Sequence, residues 1–384
     1  MIVYRAWWGE TVMTDMENIA VRDRKRYLWV LGTIAPASAL FPAQLVQITG
    51  LELFWWIGPI FVLVVIPLLD VAVGRDSGNM SEQDYEVLSD DHYYRWCTYL
   101  FLPIQFAGLA VAGYMWSSPE LSLVDKLGLT VTVGIVSGIG INTAHELGHR
   151  AEHLERRLAK IALAQSGYGH FYVEHNRGHH VRVATPEDPA SARFGESLWE
   201  FLPRSVFGGF RSALSLERER LSRKGKRWFS RENNLLQAWS LTVVLFGTMI
   251  LVFGYTIIPF LALQAVIGFG LLETVNYLEH YGLKRARRAD GRYERCSPRD
   301  SWNSDRLVTN VLLFHLQRHS DHHANPGRRY QTLRSPEQAP QLPYGYATMM
   351  VLAFIPPLWR AVMDHRVLDH YDRDMTLVNV KPRG

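Results

Sequence analysis

Six stretches of the chain are long and apolar enough to cross a bilayer: 28–48, 52–73, 96–117, 125–144, 235–254 and 256–277. Hydrocarbon offers no partner to a backbone amide, so such segments must satisfy their own hydrogen bonds, and continuous apolar runs of this length do so as helices. The expected fold is therefore all-α and integral to the membrane, a single domain over residues 1–384. The averages conceal this. Hydrophobic residues make up 48% and mean hydropathy is only −0.06, because very polar stretches separate the apolar ones.

Charge orients the helices. The short links near 49–51, 118–124 and 255 carry no Lys or Arg. By contrast Arg22, Arg24, Lys25 and Arg26 precede the first span, 150–234 is dense in arginine, and the tail opens with Lys284, Arg285, Arg287 and Arg288. The positive-inside rule then puts both termini and regions 1–27, 145–234 and 278–384 in the cytoplasm. The net charge of +4 is explained by these loops. No nucleic-acid reader motif is present, and nucleic acid is not an expected partner. The first 25 residues lack an apolar core, so no cleavable signal peptide is expected. Two cysteines, Cys97 and Cys296, make neither a disulfide framework nor a thiolate metal site. The apolar stretch 344–363 is broken by Pro356 and Pro357 and is expected to lie in the interface or to cover the cytoplasmic domain, with a seventh span as the minor alternative.

The histidines carry the chemistry. "NTAHELGHR" runs on from the fourth span and contains H-E-x-x-H, the signature of zinc proteases, with Glu146 in the place of the base. His145 and His149, one helical turn apart, share a face. "GHFYVEHNRGHH" repeats the spacing in His175 and His179, with His180 following directly; "FHLQRHSDHHANP" supplies His319, His322 and His323. His280 lies in "NYLEHYGL" at the end of the sixth span. A catalytic zinc needs three protein ligands and a water. Eight clustered histidines plus His280 suffice for two metals with four or five ligands each, and a nitrogen-rich, oxygen-activating site favours iron. A protease would also need a later aspartate; the nearest candidate, Asp70 in "PLLDVAVG", comes before the box.

The three histidine boxes resemble those of the integral-membrane non-haem di-iron superfamily, which includes fatty-acid desaturases and sterol hydroxylases. "NYLEHYGL", "ATPEDPASAR" and "LQRHSDHHANPGRRYQ" narrow the resemblance to the membrane alkane monooxygenases, over about residues 25–365. The resemblance implies six transmembrane helices under a cytoplasmic helical cap, in a bacterial inner membrane, with two non-haem iron ions. It implies terminal hydroxylation of medium- to long-chain n-alkanes to 1-alkanols, with O2 as co-substrate and electrons from rubredoxin, itself reduced by an NAD(P)H-dependent reductase. It also implies the ligands His145, His149, His175, His179, His180, His280, His319, His322 and His323, without dividing them between the irons. His170 and His315 are left out, on register and on family pattern respectively. No C-x-x-C-G pair occurs, so the donor is expected to be a separate protein. A membrane fatty-acyl desaturase or hydroxylase is the alternative within this chemistry, a membrane zinc protease a remote one, and a non-catalytic scaffold or transporter the rival from another class.

Carboxylates crowd the boxes, and Glu146, Asp188, Glu279 and Asp321 are candidates to hold the outer ring nitrogens of ligating histidines. Glu273 falls inside the sixth span, where a carboxylate is costly, and Asn142 and Asn276 are its expected partners. An acidic electron donor would meet the arginine-rich face, with Arg182, Arg204, Arg218, Arg220, Arg285, Arg287 and Arg328 as contact candidates.

Overall fold

The computed structural model describes residues 23–381; the N-terminal segment in which no signal peptide is expected lies outside them up to residue 22. Among the described residues the chain is helical, with only isolated β-bridges. Helices α1 (Arg26–Ala37) and α2 (Pro42–Thr49) occupy the first apolar stretch. Five long, apolar helices follow: α3 (Glu52–Val73), then after the short α4 (Glu82–Asp90) α5 (His92–Trp116) and α6 (Leu123–Gly148), and later α10 (Asn234–Phe253) and α11 (Tyr255–His280). The intervening polar region forms α7 (His153–Ala162), α8 (171–182) and α9 (Leu198–Arg223). The rest holds α12 (Leu307–Leu312), α13 (His319–Ala324), α14 (Tyr346–Ala353) and α15 (Pro356–His370).

Local chemistry sets the ends. Side chains of Asp91, Ser122 and Asn233 accept the first free backbone N–H groups of α5, α6 and α10. Gly254, at φ +81°, makes the tight reversal from α10 into α11. The first stretch departs from the expected straight span: α1 and α2 meet at 78°. Pro42 begins the second piece and cannot donate the hydrogen bond that would continue the first. At 344–363, α14 and α15 bend by 120° at the Pro356–Pro357 pair, and α14 buries Tyr346, Ala347, Met349 and Met350 against the bundle.

One helix is the axis. Of the apolar window of α6, 89% is buried, against 17% for α10, which leaves its flanks to lipid. Along α6 runs α11, at backbone contact: a Cβ on Gly138 would lie 2.8 Å from the Gly268 carbonyl oxygen, and one on Gly268 2.8 Å from Ser137 Oγ. This crossing brings the C-terminal ends of α6 and α11 side by side. Those ends carry His145, His149 and His280.

Candidate metal centre

The nine histidines expected as ligands converge in two groups. His145, His149, His175, His180 and His322 form one; His179, His280, His319 and His323 form the other, and within each the ring nitrogens lie within 4.8 Å of one another. His170 and His315 belong to neither. His315 is held by the Tyr330 carbonyl at Nδ1 (2.8 Å) and by Lys25 Nζ at Nε2 (3.1 Å). His170 packs edge-on against Tyr168.

The division follows from helix geometry. Residues 175–179 form a π-turn, and its wider pitch aligns His175 with His180 rather than with His179; their Nε2 atoms are 3.0 Å apart. His179 is thereby released to the other group, where its Nε2 is 3.2 Å from that of His323. The third box splits in the same way. His319 and His323, four apart, share the face of α13 that meets His179, while His322 turns to His145 at 2.8 Å.

These contacts fit metal ligands and not hydrogen bonds. His322 Nε2 lies 2.8 Å from His145 Nε2 and 3.1 Å from His180 Nε2; His180 Nε2 is 3.0 Å from His175 Nε2, which is 3.0 Å from His149 Nε2. A ring nitrogen has one proton or one lone pair in its plane, so it cannot serve two such partners. Nitrogens at right angles around a metal, each about 2.1 Å from it, lie about 3 Å apart. His280 Nε2 is buried with no protein partner, as expected of a lone pair reserved for a cation. Burial, reinforced by repulsion from neighbouring imidazoles, pushes His175, His180, His319, His322 and His323 well below their ordinary value of 6.5. The rings are therefore neutral at physiological pH, the form that binds metal.

The carboxylates divide by partner. Asp188 accepts from His179 Nδ1 (2.9 Å) and Ser191 Oγ (2.6 Å), fixing the ring so that Nε2 faces inward. Burial works to raise the Asp188 carboxyl, but His179 and the two hydrogen bonds outweigh it and hold it at about 2. Glu279 reaches a different atom, the inward Nε2 of His319, at 3.1 Å. Asp321 binds Arg334 (2.8 Å), and Glu273 accepts from Tyr168 Oη (2.9 Å), Ser205 Oγ (2.5 Å) and Asn276 Nδ2 (3.2 Å). Asn142 instead donates to the Leu313 carbonyl. Tyr168 and Ser205 carry no signal in the sequence, because their role exists only where the turn before α8 and the helix α9 both pack against α11.

Glu146 also faces away from a protease role. Its Oε1 accepts from Arg150 (2.7 Å) and from the Tyr330 amide (3.2 Å), and Arg150 further donates to the Gly327 and Arg328 carbonyls. The pair clamps the 327–330 loop onto the end of α6. Asp70, the other residue a protease reading would need, caps α12 through the Thr309 amide (3.0 Å) and hydroxyl (2.6 Å). Glu146→Gln is accordingly expected to lower the melting temperature by several degrees, as a buried ion pair is lost, with metal per folded chain unchanged. Thermal unfolding in detergent alongside elemental analysis checks both.

An apolar cavity of about 40 Å³ lies between α3, α6, α11 and α14, lined by Phe61, Val62, Ile139, Leu272, Val275 and Met350 among others. A smaller space shares Asn142, Leu272, Val275 and Leu316 with it and opens on His145, His175 and His319. The apolar cavity is thus separated only by shared wall residues from a space that touches both histidine groups. Above lies a basic cleft of about 570 Å³, lined by Lys284, Arg287, Arg295 and Arg299. Most arginines expected to face a donor protein are engaged elsewhere. Arg182 is tied to Glu174, Arg204 to Glu196, Arg220 to Glu217 and Arg328 to Glu82, while Arg218 lies over Trp228. Arg285 is buried and donates to the Val181 carbonyl (2.6 Å), beside His180.

An all-helical membrane bundle whose central helices end in two buried groups of imidazoles defines a membrane histidine-box protein. The fatty acid desaturase family model matches residues 126–353, which span every box. The alkane 1-monooxygenase of Acinetobacter baylyi is 44% identical, over 97% of this chain and 92% of the relative. Alkane 1-monooxygenase 1 of Alcanivorax borkumensis is 43% identical over the same shares, and the Pseudomonas putida enzyme 43% over 94% and 89%. The chain belongs to the alkane 1-monooxygenase family.

Proposed function

We propose that the protein hydroxylates the terminal carbon of medium- to long-chain n-alkanes, consuming O2, two electrons and two protons and releasing a 1-alkanol and water. The observation that carries this reading is the apolar cavity whose wall residues Leu272, Val275 and Leu316 also line the space touching both histidine groups. An alkane has no polar handle, so the walls can only grip and orient it, and the bound metals must supply the reactivity. The five-histidine and four-histidine groups each hold one iron, which when bound activates O2 for insertion into a C–H bond. The chain's own part is positional. Asp188 fixes the His179 ring, α6 and α11 set the depth of the centre, and Leu272, Val275 and Leu316 bring a methyl group to it while excluding water. At about 40 Å³ the cavity is narrower than a bound alkane, so its side chains shift on binding.

The histidine groups lie at the arginine-rich ends of α6 and α11, which by the positive-inside rule is the cytoplasmic side of the inner membrane. Rubredoxin brings the electrons there, and the cleft with Arg287, Arg295 and Arg299 suits a small acidic protein. Turnover at limiting rubredoxin should fall several-fold between about 0.05 and 0.5 M salt. Arg287→Glu with Arg295→Glu should raise the apparent KM for rubredoxin several-fold, leaving iron content and alkane preference as they were. Turnover indifferent to both salt and reversal excludes electrostatic docking there.

The decisive assay for the reaction is gas chromatography of products from reduced membranes given octane, hexadecane or an acyl substrate. 1-Octanol or 1-hexadecanol supports the reading. An unsaturated acyl product from the acyl substrate alone replaces it with a desaturase.

A further inference from the structure

The two histidine groups are unequal, five imidazoles against four. Glu279 sits where the second is short. It is the residue before His280 at the end of α11, 1% exposed. Its Oε2 lies 3.1 Å from His319 Nε2, and that nitrogen lies 2.9 Å from His323 Nε2. The spacing matches the 2.8–3.2 Å between coordinating nitrogens elsewhere in the centre. Oε1 has no hydrogen-bond partner.

The two atoms can be this close for one of two reasons. If a proton lies between them, whether His319 Nε2–H donates to the carboxylate or a carboxylic O–H donates to Nε2, the ring has no free lone pair for a metal, leaving three imidazoles in that group. If His319 coordinates, its lone pair points inward, and Nε2 and Oε2 are two acceptors in contact with no proton between them. That arrangement is repulsive unless both face the same cation. A buried carboxylate also needs a countercharge, and among the described residues Glu279 pairs with no Lys or Arg, its one ion-pair contact being His319. A divalent metal supplies it. Asp188 is different in kind, since it reaches the outer Nδ1 of His179.

We propose that Glu279 is a direct ligand of the metal held by His179, His280, His319 and His323, completing five donors at that site. This rests on reading the two groups as metal sites. It makes the pair chemically unlike: one metal has five neutral imidazoles, the other four imidazoles and an anion. Glu279 also lines the space that shares walls with the apolar cavity, so the anionic site faces arriving substrate.

The test is iron content and Mössbauer spectra of the reduced full-length protein loaded with isotope-enriched iron, for wild type, Glu279→Gln and Glu279→Asp. The wild type should hold about two irons in two distinguishable doublets. Glu279→Gln should fall toward about one iron, keeping the doublet of the five-histidine site, which His145→Ala identifies by removing it. Glu279→Asp, which retains the charge, should hold both irons and shift only the second doublet. Glutamine is nearly isosteric, and a melting curve registers folding independently of iron. Both irons and both doublets unchanged in Glu279→Gln overturn the proposal. A wild-type protein with fewer than two irons would instead overturn the metal-site reading beneath it.

Discussion

Val275→Phe is expected to cut alkane turnover by about 100-fold or more while leaving iron content at the wild-type level. Val275 is a shared wall residue, since it lines both the cavity among the membrane helices and the smaller space that opens on His145, His175 and His319. It is buried, on α11 one turn before Glu279, so a phenyl ring has nowhere to go but into the passage. The cost should fall on the reaction because the ring occupies the place the reacting methyl must reach. About 100-fold corresponds to roughly 2.7 kcal/mol of lost transition-state stabilisation. Overpacking costs about 1–3 kcal/mol of stability, which a melting curve would register separately. Val275→Ala widens the same point and should retain turnover. Gas chromatography of 1-octanol from reduced membranes, normalised to iron, is the measurement. Turnover of Val275→Phe within a few-fold of wild type would mean that substrate reaches the metals by another path.

What the sequence made readable, and what it did not, follows from the range of the forces involved. Hydropathy marks α3, α5, α6, α10 and α11 to within about four residues, because burial in lipid is read one segment at a time. It misses the 78° break in the first segment, which is set by where Pro42 can begin a helix. The nine histidines are visible as boxes because ligands from one helix must recur at about one turn. Their division is not, since it depends on a π-turn at 175–179 and on how α13 meets α8. One clue was nonetheless present in H-x3-HH. Adjacent residues on a helix point about 100° apart, so His179 and His180 cannot both share the face of His175. Partners of the carboxylates were least readable. Glu146 and Asp321 sit inside boxes yet bind Arg150 and Arg334, and only the folded chain brings Arg334 back to α13.

Replacing His322 or His323 by alanine should abolish turnover in either case, by at least about 100-fold, while emptying different metal sites. His322 Nε2 meets His145 and His180; His323 Nε2 meets His179 and His319. Two adjacent residues thus fall in different histidine groups, whereas His145 and His322, 177 positions apart, fall in one. Each single variant should keep about one iron, and the surviving Mössbauer doublet should differ between them. His145→Ala should reproduce the His322→Ala spectrum, and His179→Ala that of His323→Ala. Turnover in the double variant should be no lower than in either single one, because metals that act as a unit contribute nothing separately. Iron is the more telling readout, since activity is lost in every case. If His322→Ala and His323→Ala lose the same doublet, the division into five and four is wrong, and the π-turn at 175–179 does not sort the histidines as its geometry requires.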